Sequence, residues 1–133
     1  MIQVNKLQEP LLNVLRIMAA FLWIPHGAGK LFGFLATDPW TAPELFSRLW
    51  FAGVIEFFGG TLILIGLFTR PVAFIAAGEM ASAFFLAHLP RGFWPLKNQG
   101  ELAALYCFVW LYIMASGGGS FSVDGWWKRR KKA

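Results

Sequence analysis

The chain has 133 residues, enough for one domain, and is 57% hydrophobic, 17% aromatic and 14% charged. Soluble domains carry about 45–50% apolar and about 25% charged residues, so the balance excludes an ordinary soluble domain and points to a membrane protein with the lipid bilayer as its partner. The net charge of +5 does not indicate nucleic acid, because five of the twelve basic residues form one block, Lys128-Arg129-Arg130-Lys131-Lys132, beside the last apolar segment.

A membrane-spanning helix needs about 20 mostly apolar residues. Four segments qualify. The first, Leu11–Leu35, carries Arg16, His26 and Lys30. It is too long and too polar towards its end for a signal peptide, so it is read as a retained helix. Pro25 inside it frees the carbonyl of Phe21 and predicts a kink. A loop, Ala36–Phe46, leads to the second span, Ser47–Phe68, which holds Glu56. Thr69-Arg70-Pro71 is a tight turn, and the third span, Pro71–Leu89, contains Glu79 and His88. The fourth, Gly100–Ser116, begins at Gly100-Glu101 and stops at three glycines. The expected fold is an all-α integral membrane antiparallel four-helix bundle.

Four spans place both termini on one side. That side carries Lys6, Arg16, Arg70 and the five tail residues, against Lys30, Arg48, Arg91 and Lys97 on the other. The excess predicts a bacterial inner (plasma) membrane protein with cytoplasmic termini and a basic cytoplasmic tail over residues 126–133. Trp126 and Trp127 suit the inner interface, and Trp40, Trp50, Phe93 and Trp94 the outer one.

Depth along the helices follows from a rise of 1.5 Å per residue. Counted from the cytoplasmic ends, His26 and Glu56 lie roughly 21–22 Å up, and Lys30, His88 and Glu101 roughly 24–28 Å up. Arg16 and Glu79 form a lower pair separated by about 5 Å of height. Ionisable side chains inside a membrane face the bundle interior and pair. Two readings follow: ion pairs that set helix register, Arg16 with Glu79 among them, or a polar ligand pocket built from His26, Lys30, Glu56, His88 and Glu101. Gly53, Gly59 and Gly60 share the face of Glu56 and mark it as a packing face. No paired spacing such as HxxxH or ExxH supports a metal site. The single cysteine, Cys107, allows neither an internal disulfide nor a CxxC pair. No phosphate loop or catalytic triad is present.

The chain resembles the DoxX family of small bacterial membrane proteins. The resemblance rests on His26-Gly27 with Lys30-Leu31-Phe32-Gly33, Glu56-x-x-Gly59-Gly60, Gly66-Leu67-Phe68-Thr69-Arg70-Pro71, Gly78-Glu79-Met80, His88-Leu89-Pro90-Arg91-Gly92-Phe93-Trp94-Pro95, Asn98-x-Gly100-Glu101 and Phe121-Ser122-Val123-Asp124. The residue before Gly100-Glu101 is usually small in the family; here it is Gln99. The resemblance implies one membrane domain over residues 1–133 and a link to quinone-coupled or thiol-stress redox complexes with soluble or membrane redox enzymes. A quinone is the cofactor it suggests, in an oxidoreductase subunit that is not catalytic alone. The alternatives are a small proton or solute transporter, which needs a homo-oligomer to form a pore, and a non-catalytic scaffold for redox enzymes.

Overall fold

The computed structural model describes residues 3–133. Helix α1 (Gln8–Phe32) follows a 3-10 turn at Val4–Leu7 and ends at Gly33, whose φ of 70° is left-handed. It runs on through Pro25 without a break in the assigned helix. Helix α2 (Arg48–Ile65) starts at Ser47, whose hydroxyl accepts the Trp50 N–H at 3.2 Å. Helix α3 (Thr69–Arg91) carries Pro71 in its first turn, where the missing N–H costs nothing. A one-turn helix, Pro95–Asn98, precedes α4 (Glu101–Ser116), and α5 (Val123–Lys132) ends the chain. Helices therefore cover the segments expected at 11–35, 47–68, 71–89 and 100–116, with ends shifted by at most three residues. Among the described residues there is no strand.

Helices α1, α2 and α3 are long and apolar enough to cross a membrane. The 16 residues of α4 reach about 24 Å, short of a hydrocarbon core of about 30 Å. The apolar side chains that point outward have the character of a lipid-facing surface: Phe21, Phe74, Phe85 and Phe108 are all exposed, Phe108 by 70%.

The bundle is built as two close pairs. In the first, α1 lies against α2 so tightly that a Cβ on Gly27 would come within 2.8 Å of the Gly53 carbonyl oxygen. Only glycine permits that approach, which serves the dispersion contacts that hold helices together in lipid. In the second, α3 meets α4 along a seam of buried Ala73, Ala76, Ala77 and Met80 against Ala103, Tyr106, Trp110 and Ile113. Trp23 of α1 joins the pairs: its ring lies 5.0 Å from Trp110 and 6.2 Å from Tyr106, and the Tyr106 hydroxyl donates to the Ala19 carbonyl at 3.3 Å.

At the end of the bundle that carries the basic tail, side chains of one helix satisfy the backbone of another. Arg16 of α1 is 1% exposed. Its Nη1 donates to the carbonyls of Ile63, at 2.7 Å, and Leu64, in the last turn of α2. Its Nε donates to Gly118 O at 2.7 Å and its Nη2 to Phe121 O at 2.5 Å. Arg70 does the same for α4, donating to Met114 O at 3.0 Å and Ala115 O at 2.5 Å. The last carbonyls of a helix lack internal partners and carry the negative end of its dipole, so cationic caps suit them. Asp124 completes the arrangement. Its carboxylate accepts the N–H groups of Phe68 (3.0 Å) and Thr69 (2.8 Å) at the start of α3, and its own N–H donates to Gly66 O at 2.9 Å. Gly66, at φ 72°, turns the chain directly beneath Ser122, where a side chain has no room.

The expected ion pair of Arg16 with Glu79 is thereby corrected. The two are close in height, but the guanidinium is surrounded by carbonyls of α2 and of the 117–121 segment, and these take its N–H groups. Glu79 faces a different part of the bundle, described next.

Candidate functional site

Towards the opposite end a cavity of about 870 Å³ lies between the two helix pairs, with all four helices in its wall. That is within the range of about 300–1,000 Å³ common for small-molecule sites. Helix α1 contributes Trp23, His26 and Lys30, which are spaced i, i+3 and i+7 and so share a face. Helix α2 contributes Arg48, Leu49, Phe51, Ala52, Ile55 and Glu56; α3 contributes Glu79, Met80, Ser82, Ala83, Leu86, Ala87 and His88. Gln99, Leu102, Ala103 and Tyr106 complete it at the start of α4.

Glu56 is 3% exposed and accepts the Lys30 ammonium at 2.5 Å. It sits in a π-helical turn, Ile55–Gly59, inside α2. Such a turn holds one residue more than an α turn and re-aims the side chains around it, and π turns recur at functional sites. The glycines beside Glu56 pack closely: Gly53 abuts Leu31, Gly60 abuts Ile24, and Gly59 faces Val72 of α3. A second π turn, Phe84–His88, ends in His88. The His88 Nδ1 lies 3.1 Å from Asn98 O. A carbonyl only accepts, so Nδ1 is the donor in this contact. Asn98 is fully buried and holds the loop in turn, donating to Gly92 O at 2.8 Å and accepting from Gly100 N at 2.7 Å.

A smaller hollow of about 620 Å³ lies between the end of α1 and residues 34–41. It shares His26 and Lys30 with the main cavity. Trp40 closes over the end of α1, donating its indole N–H to Lys30 O at 3.1 Å.

Of the five residues expected to form the pocket, His26, Lys30, Glu56 and His88 line the cavity, with His26 largely exposed. Glu101 does not. It is exposed in the first turn of α4, where a carboxylate complements the helix dipole, and Gln99 and Leu102 stand in the wall beside it. Glu79, expected lower down, lines the cavity instead, and its Oε2 is buried without a hydrogen-bond partner. Trp23 and Tyr106 were not singled out in the sequence. The shared face of Trp23, His26 and Lys30 was a readable signal; a single tyrosine in an apolar helix was not. Cys107 is half-buried against the core. Among the described residues no three His, Cys, Asp or Glu side chains converge as metal donors.

Residues 11–89 match the DoxX family. The chain belongs to it. A Haemophilus influenzae protein described as uncharacterized is 40% identical over 124 residues, covering 90% of this chain and 92% of that one. The Escherichia coli (strain K12) inner membrane protein YqjF is 31% identical over 126 residues, covering 90% of this chain and 94% of that one. No solved structure matches the chain.

Proposed function

We propose that this DoxX-family protein is an inner-membrane accessory subunit of a redox system that holds a quinone or similar amphipathic molecule between its two helix pairs. The observation that carries the reading is the cavity itself: apolar walls from Trp23, Phe51, Ile55, Met80 and Leu86 converge on a few polar groups, among them the Lys30–Glu56 pair. A quinone needs an apolar slot for its tail and donors or acceptors for its ring oxygens. Lys30 and His26 supply donors, and Glu56 accepts a proton from the reduced form. Leu49, Phe51, Leu86 and Leu102 line the cavity and are exposed, which favours an apolar entry from the lipid. The opposite end is filled by Arg16 and its carbonyls, an arrangement that favours a binding site over a through-path. The name of the E. coli relative supports placement in the inner membrane. The basic residues of α5, beside Trp126 and Trp127, favour its lying on the anionic cytoplasmic surface.

The test is titration of the purified protein in detergent with a short-chain quinone. Saturable binding that weakens about tenfold or more in Glu56→Gln and in His26→Ala is expected. No saturable binding, or binding unchanged in both variants, overturns the reading.

A further inference from the structure

We infer that Glu79 is the headgroup anchor of the cavity, and that the cavity takes amphiphiles whose polar head donates a hydrogen bond. The inference rests on the cavity being a ligand site and adds which chemistry it selects: of a quinone couple, the hydroxyl-bearing quinol over the keto form. Three cations near the bundle interior are already committed, Lys30 to Glu56, Arg16 to the end of α2 and Arg70 to the end of α4, and a fourth, Arg48 in the cavity wall, is exposed at the start of α2 and makes no ion pair with Glu79. Glu79 lines the cavity, and its Oε2 is buried with no partner among the described residues. A buried acceptor left unmet is costly, more so where no water reaches it. Ionised, the carboxyl only accepts; protonated, it still presents one accepting oxygen. Ionised, it lacks a donor; protonated, it lacks an acceptor for its O–H and a donor for its other oxygen, so a head with an O–H, which gives a hydrogen and accepts one, answers both states. A head that only accepts, such as a ketone or an ether, pairs with at most the protonated form and leaves the other oxygen unmet.

A second unmet group belongs to another residue of the cavity wall. The indole N–H of Trp23, a residue 1% exposed, has no acceptor. A hydroxyl gives a hydrogen and accepts one, so it complements both residues, which an amine in its charged form does not. The Tyr106 hydroxyl has its proton engaged by Ala19 O, so it is not the donor that Glu79 lacks.

The experiment compares two probes that differ only in the donor: 4-decylphenol and its methyl ether. Each is titrated into the full chain in detergent, with tryptophan fluorescence as the readout. The wild type is expected to bind the phenol about tenfold tighter than the ether. In Glu79→Leu the two should bind alike, through loss of phenol affinity and not of ether affinity. Glu79→Gln keeps the side-chain size and guards against a folding defect; it should reduce the preference several-fold. A preference unchanged in both variants overturns the role of Glu79. Equal binding of both probes to the wild type overturns the donor selectivity while leaving the cavity a ligand site. Binding of neither probe overturns the ligand reading itself.

Discussion

The two ends of the bundle use charge in opposite ways. At the tail end, Arg16, Arg70 and Asp124 each answer the unpaired backbone of another helix, so these buried or capping charges have a structural duty. At the loop end, Lys30 meets Glu56, a charge meets a charge, and Glu79 meets nothing among the described residues. Side chains committed to backbone groups close a bundle. Side chains left to one another, around a void, are free to be reorganised by a ligand.

The largest effect separating the ends is expected from Arg16. Arg16→Ala leaves buried carbonyls of α2 and of the 117–121 segment without donors, a loss of about 3–5 kcal/mol, and the protein should not survive detergent extraction as a monodisperse species. Size-exclusion chromatography checks this. Arg16→Lys should rescue little, since one ammonium does not reproduce a planar fork spread over four carbonyls. Next comes Asp124→Ala, which removes the cap from α3 at a cost of about 1–2 kcal/mol. Hydrogen exchange should quicken first at the amides of Phe68 and Thr69, and a uniform change along the chain would count against the capping role.

At the loop end the Lys30–Glu56 pair provides a double-mutant cycle. Glu56→Leu alone strands the ammonium, whereas Glu56→Leu with Lys30→Met removes both charges. The double variant should be about 1 kcal/mol or more stabler than the sum of the single changes implies, and should still fail to bind quinone. Recovery of binding in the double variant would place the ligand elsewhere. The smallest effect is expected from Glu101→Gln. The residue is exposed and outside the cavity wall, so affinity should be unchanged and thermal stability should move by less than about 0.5 kcal/mol, the ordinary range for a surface change at a helix N-terminus.

Much of the site was legible as height. Counting 1.5 Å per residue put His26, Lys30, Glu56 and His88 in one slab, and all four line the cavity. Height does not give rotation about the helix axis, and that is where the errors fell. Glu101 is at the right level but turned outward. Arg16 and Glu79 are close in level, yet one is turned towards the end of α2 and the other towards the cavity. The two π turns add to this, because each shifts the angular register of its helix, and nothing in Ile55–Gly59 or Phe84–His88 marks them in advance.

The sequence by itself determined the four long apolar helices, their lengths to within a few residues, their lipid-facing character and the presence of charges at depth, but not the helix Val123–Lys132. These follow from local chemistry: long apolar runs must be helical in lipid, and Gly and Pro punctuate them. Only the tertiary structure decided what each charge does. Arg16 and Asp124 act on backbone groups about 50 to 100 residues away in the chain, and Glu79 borders a void that lies between the pairs α1–α2 and α3–α4. Such partners depend on how helices rotate and pack against each other, which is a property of the whole bundle and of no single segment.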